Sequence, residues 1–247
     1  MKEERSLHEL EKCLGGTPLV GGSAGDNLEF KKTYIFDRDR FKSSVFNLTF
    51  FATKATFQIF DSHYFRATDK RLVITEALPP IRRVNEINGV LAAQAYAEAV
   101  GIKVDEINSQ IVSTHPVMVN MGGDYFVRSI RQVNDDGSLD FFCAIDKGLV
   151  LRLGERYSIE DHLQDLDDKL SDNSLELVGC LFFECILRRL DILKMGNRNT
   201  PFFEAYKKWN ACGFHTYGES LDSIHVNQTL TGVAFYFSKD SKGSKDE

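Results

Sequence analysis

The sequence predicts an α/β (α+β) fold, a sandwich of mixed, largely antiparallel sheets with helices packed on them. Short apolar or alternating stretches recur along the chain, parted by Gly, Asn and Asp turns. Most of these links are hairpin length, too short for the crossovers that a parallel sheet needs. A few breaker-free stretches with helical periodicity lie between them. The 247 residues, 43% hydrophobic and 27% charged, suffice for a sizeable core and exclude collagen-like or wholly disordered chains.

Residues 3–14 carry Leu7, Leu10 and Leu14 among charges and stop at Gly15-Gly16, which reads as a helix. Residues 17–20 read as a strand entering the glycine-rich turn Gly21-Gly22-Ser23-Ala24-Gly25-Asp26. Strands are expected at 30–36, 45–51, 56–60, 72–75 and 83–87. The alanine-rich 90–100 is a helix closed by Gly101, and Asp105 is placed to cap a short helix to about 113. Strands at 117–121, 125–133, 139–145 and 149–153 form a meander. Ser158 and Asp161 start a helix to about 170. The apolar 175–183 reads as a strand buried on both faces. Helices at 185–193 and 202–209 and strands at 212–217 and 228–237 follow. The polar 238–247 is expected to be a disordered tail.

Composition narrows the function. Thirty basic residues against thirty-six acidic ones, net −6, do not suggest a nucleic-acid surface. No apolar run reaches the ~18 residues that span a bilayer, so no membrane partner is expected. No apolar segment follows the charged start Met1-Lys2-Glu3-Glu4-Arg5. With five cysteines and no C-x-x-C pair, reduced thiols and a cytoplasmic location are the expectation. The sequons at Asn47 and Asn227 are then chance matches.

No catalytic constellation is assembled in the sequence. The glycine-rich turn at 21–26 lacks the P-loop lysine and reads as structural. Gly122-Gly123-Asp124 reads as a hairpin turn. Among six histidines there is no paired metal spacing, and His8 and His162 fall in polar helices. Cys185, between Phe182-Phe183 and Ile186-Leu187, reads as a buried thiol before it reads as a nucleophile. Arg188-Arg189 reads as a solvated helix face or as an anion contact.

Several stretches in order together resemble one family. They are Gly21 to Asp26, Glu86-Ile87-Asn88-Gly89, His115-Pro116-Val117, Gly122 to Ile130, Phe142-Cys143-Ala144-Ile145-Asp146, Cys185 to Leu190, Thr216-Tyr217-Gly218-Glu219 and His225-Val226-Asn227-Gln228-Thr229. They resemble the FIST family of sensory signal-transduction domains. Glu184 and His215 depart from its pattern, where aspartate and serine are expected.

The resemblance implies the end of an N-type unit at 1–66 and a C-type unit at 71–237, with the chain looking truncated before residue 1. It implies a non-enzymatic module that binds a small molecule and passes a conformational change to a partner such as a histidine kinase. Its candidate ligand residues are Arg128, Arg188, Tyr217, Glu219, His225 and Asn227. Its nearest branch senses nitric oxide through haem, which would make His225, and then His115, the axial ligands. Homo-oligomers are a further expectation. The alternatives are a cysteine-dependent enzyme built on Cys185 and a ligand-free adaptor or remnant.

Overall fold

The computed structural model describes residues 3–196 and 200–239. Helix α1 (Glu3–Leu14) leads into three short strands, β1 (Val20–Gly22), β2 (Ile35–Asp37) and β3 (Arg40–Lys42). Next come β4 (Thr56–Ser62), β5 (Phe65–Leu78), β6 (Arg83–Ile87) and β7 (Val90–Leu91). Helices α2 (Ala92–Val100) and α3 (Ser109–Thr114) precede β8 (Val117–Met121), β9 (Asp124–Arg128), β10 (Ile130–Val133), β11 (Leu139–Phe141) and β12 (Val150–Arg156). Helix α4 (Ile159–Leu170), β13 (Leu175–Cys185), α5 (Ile186–Lys194) and α6 (Thr200–Lys208) follow. The last strands are β14 (Ala211–Thr216), β15 (Glu219–Leu221), β16 (Ile224–Val226) and β17 (Leu230–Ser238).

Helices packed on mostly antiparallel sheets make the fold mixed α/β, as the sequence predicts. The largest sheet has eight strands along the path β10-β11-β6-β5-β12-β8-β9, with β7 beside β6. Its apolar side packs against α2, burying Leu72, Ile87, Tyr96, Val119 and Leu151 together. A second sheet runs β14-β13-β17-β4 and buries Phe60, Phe182, Trp209 and Tyr236 against α4 and α6. Among the described residues only β13 and β14 pair in parallel, through the α5–α6 crossover. A third cluster with Tyr64, Phe65, Met118, Ile192 and Phe202 joins the two layers.

Local chemistry fixes the helix ends. Gly101, at φ 90°, caps α2 by donating its amide to Ala97. The Ser158 hydroxyl accepts the Asp161 amide at 3.0 Å and starts α4. The α3 cap is Asn108, whose side chain accepts the amides of Gln110 and Ile111. The expected cap, Asp105, lies instead in a 3-10 turn at Val104–Glu106.

Three other expectations are corrected. Residues 45–51 form no strand, and Phe46, Phe50 and Phe51 are exposed. Their alternating pattern finds no neighbouring strand to take its amides and carbonyls. The expected run 30–36 contributes only the beginning of the β2–β3 hairpin. The first half of β13 is only partly covered, with Val178 exposed, because α4 and α6 close over the chain further along. Strand β5 spans the stretch between the two expected units and pairs with both β12 and β6. Residues 240–247 of the expected tail lie outside the described residues.

Candidate functional site

The glycine-rich stretch is built into the sheet as backbone. β1 pairs with β15, setting Gly21 against Ser220 and Gly22 against Glu219. The Ser23 amide donates to Gly218 at 2.9 Å, and the Tyr217 amide returns the bond to Ser23. The stretch is thus a structural turn, as the missing P-loop lysine implied. Asp26 then ties down the following loop through the amides of Phe30, Lys31 and Lys32 and the hydroxyl of Tyr217. Desolvation would raise the Asp26 carboxyl, but these bonds together hold it down to about 2.

Gly218 makes the next turn at φ 125°. A Cβ there would stand 2.3 Å from His225 Cε1, 2.7 Å from His225 Nε2 and 3.3 Å from Asn227 Nδ2. Only glycine lets this backbone approach those two side chains so closely. His225, on β16, is buried and pairs with Ser220. Its Nδ1 and the Oδ1 of Asn227 are buried without a hydrogen-bond partner. Such orphaned polar atoms are rare in a packed interior and point to an unfilled polar role.

Arg128, the last residue of β9, reaches the same place. It is 8% exposed. Its Nη1 donates to the His225 carbonyl at 3.0 Å, and its Nη2 meets only the Met121 sulfur at 3.3 Å. Among the described residues no carboxylate lies within 4.0 Å of this guanidinium. A buried cation without an ion-pair partner is costly unless something anionic completes it.

A second arginine adjoins. It is Arg82, at φ 59° and 6% exposed, a residue that no sequence motif marks. Its Nη1 donates to Phe142, and its Nη2 lies 2.9 Å from Glu3 and 2.6 Å from Glu4 of α1. Burial pushes the His225 imidazole down, against the pull of Glu4, so the ring is neutral at pH 7. Tyr217 stands at the rim, stacked on Phe30 at 4.7 Å, and Phe30 in turn touches Phe142.

The other expected residues fall elsewhere. Glu219 is fully buried below the turn, bonded to the Thr216 hydroxyl and the Thr229 amide. Burial pushes its carboxyl well up, which suits an internal anchor. Cys185 is buried and its thiol is pushed well up by desolvation and by Glu219. Such a thiol is a poor nucleophile. His115 is held by Thr114, 3.0 Å from its Nδ1.

Arg188 is neither on a solvated face nor beside Arg128. It is 0% exposed, because α5 turns it inward under α4 and α6. It is 3.0 Å from Glu184 and 3.0 Å from His162 Nε2 and lies over the Tyr64 ring. His162 is likewise fully buried. The polar character of α4 hid it, since only one face of that helix meets solvent.

Among the described residues no group of three or more metal-binding side chains gathers. A large apolar groove of about 590 Å³ is lined by Phe50, Phe51, Phe183, Phe214 and Phe235, with no histidine on its walls. Gly218 lies beside the Nε2 edge of His225. A separate polar cleft of about 470 Å³ holds His63, Tyr157 and Lys169, and His63 there already bonds the Tyr125 carbonyl and the Phe65 amide.

Compared with models of known families, residues 92–221 match the FIST C domain and residues 1–90 match the FIST N domain. No curated protein matches the chain, and no solved structure does.

Proposed function

The chain belongs to the FIST family, with its N and C domains in tandem, and on that premise we propose that Arg128, His225 and Asn227 form the ligand site of its sensory module. FIST domains are sensory domains of signal-transduction proteins that bind small ligands. The observation that carries the assignment is the Arg128 guanidinium, buried without a carboxylate beside two orphaned polar atoms. A small ligand with an anionic group completes all three: the anion on Arg128, a hydrogen bond with His225 Nδ1, and a donor to Asn227 Oδ1.

Transmission follows from where the site stands. It lies where α1, the glycine-rich stretch and the β15–β16 hairpin meet the large sheet. A ligand that binds two arrangements of these elements unequally shifts their populations. We propose a signalling protein such as a histidine kinase as the reader of that shift, and self-association through the exposed aromatic residues near 46–57 as a further mode.

The test is a thermal-shift screen of ligand classes: amino acids, mono- and dicarboxylates, sugar phosphates and nucleotides. A ligand at 100 times its Kd raises Tm by roughly 5–10 °C for a chain of this size. One class is expected to do so for the parent, and to lose the effect in Arg128→Met and Asn227→Ala. A class that stabilises the parent and both folded variants equally would place the ligand elsewhere.

A further inference from the structure

Helix α1 packs on β16 but buries little of its own surface. Of its residues only Leu7 is buried. Behind it come Gly15 and Gly16, both at positive φ with open space around them. Its strongest ties are ionic: Glu3 and Glu4 both reach Arg82 Nη2, and Glu4 also accepts the Ala144 amide at 3.0 Å. The two carboxylates therefore stand within electrostatic reach of His225, as Arg82 and Arg128 do.

The charges in this space balance in an uneven way. Among the described residues, two buried guanidiniums, Arg82 and Arg128, face two carboxylates, Glu3 and Glu4. Both carboxylates sit on Arg82, and neither lies within ion-pair distance of Arg128. Burial disfavours the two carboxylates, but Arg82 and the backbone bonds outweigh it, so both stay ionised. A neutral ligand, or one with a single negative charge, that displaced both glutamates would leave buried positive charge behind. A ligand with two carboxylates replaces the pair with no change in net charge and gives each arginine its own partner in fork geometry.

We infer that Glu3 and Glu4 of α1 occupy the place of the ligand, which is a small dicarboxylate bridging Arg82 and Arg128, and that its binding releases α1. This rests on the assignment of the ligand site above and names its ligand class. Release at the Gly15-Gly16 joint is then the output of the sensor. The glutamates compete within the molecule, so the apparent affinity of the parent is lowered by the fraction of time α1 stays seated.

Sodium succinate is the probe, titrated calorimetrically at fixed ionic strength into the parent and into the double variant Glu3→Gln, Glu4→Gln, with propionate as the single-charge control. The variant is expected to bind succinate about tenfold tighter or more, and propionate is expected to bind neither protein measurably. In the parent, amide hydrogen exchange across residues 3–14 is expected to rise on succinate addition. Equal succinate affinity in the two proteins, propionate binding as well as succinate, or unchanged exchange in α1 would each overturn the inference. If succinate binds neither protein while another class still stabilises the parent in an Arg128-dependent way, the dicarboxylate fails and the site stands. If no class depends on Arg128, the site itself fails.

Discussion

Arg188→Ala is expected to cost 3–5 kcal/mol, the largest loss from any single change outside the apolar core. The guanidinium is wholly buried. It lies 3.0 Å from Glu184, which also accepts the Tyr206 hydroxyl at 2.6 Å. It covers the ring of Tyr64, whose own hydroxyl donates to Asp191 at 2.6 Å. Removing the cation strands the Glu184 carboxylate, 6% exposed, in a low-dielectric space. Urea unfolding measures the cost, and Arg188→Met combined with Glu184→Gln is expected to recover much of it, since no lone charge remains. A loss under 1 kcal/mol for Arg188→Ala would show that the cluster is hydrated.

The same cluster sets acid sensitivity. Burial, then the Arg188 charge, holds His162 down to about 2 against an ordinary value of 6.5. The unfolded chain takes up this proton first. Stability from this group is therefore complete above pH 6.5 and falls as the pH drops towards 2. Between pH 7 and pH 5 the loss from His162 alone is about 2 kcal/mol, and His162→Gln is expected to shrink the fall by that amount.

Gly218→Ala is the second large effect, and it falls on binding more than on folding. The backbone there has φ 125° and is pinned by the Ser23 amide on its carbonyl. The new methyl would meet the His225 ring at 2.3 Å, so the imidazole must leave its place. The expected stability cost is roughly 2–3 kcal/mol, and the thermal response to ligand is expected to vanish. Gly123→Ala is the control. Its φ is 104°, yet nothing lies within 4 Å of its Cβ position, so strain without collision should leave the ligand response intact. A ligand response surviving in Gly218→Ala would show that His225 does not line the site.

Where patterning and punctuation were local, the fold was legible in the chain. The alanine-rich helix closed by Gly101, the Gly122-Gly123 hairpin joining Met121 to Asp124, and the crossover between β13 and β14 all follow from neighbouring residues. The β15–β16 hairpin was missed because its strands are three residues each, too short for a period to show. Residues 45–51 have the alternation of a strand, but a strand also needs a partner, which alternation does not reveal. Of the proposed site, His225, Asn227 and Arg128 are marked by their motifs in the sequence, and the fold brings them close together. Arg82 was missed because its role depends on Glu3 and Glu4, far away in sequence. Arg188 and His162 were misjudged for one reason: a polar residue on an amphipathic helix is read as exposed, unless the buried partner that neutralises it is known.

The most direct test of the sensory site is a map of backbone amide shifts in an isotope-labelled sample of the full chain as sodium succinate is added. The perturbations are expected to centre on Arg128, on residues 216–219 and on residues 225–229, with residues 3–14 changing as α1 leaves. Shifts confined to the polar cleft of His63, Tyr157 and Lys169, or to the apolar groove of Phe183 and Phe214, would contradict the assignment.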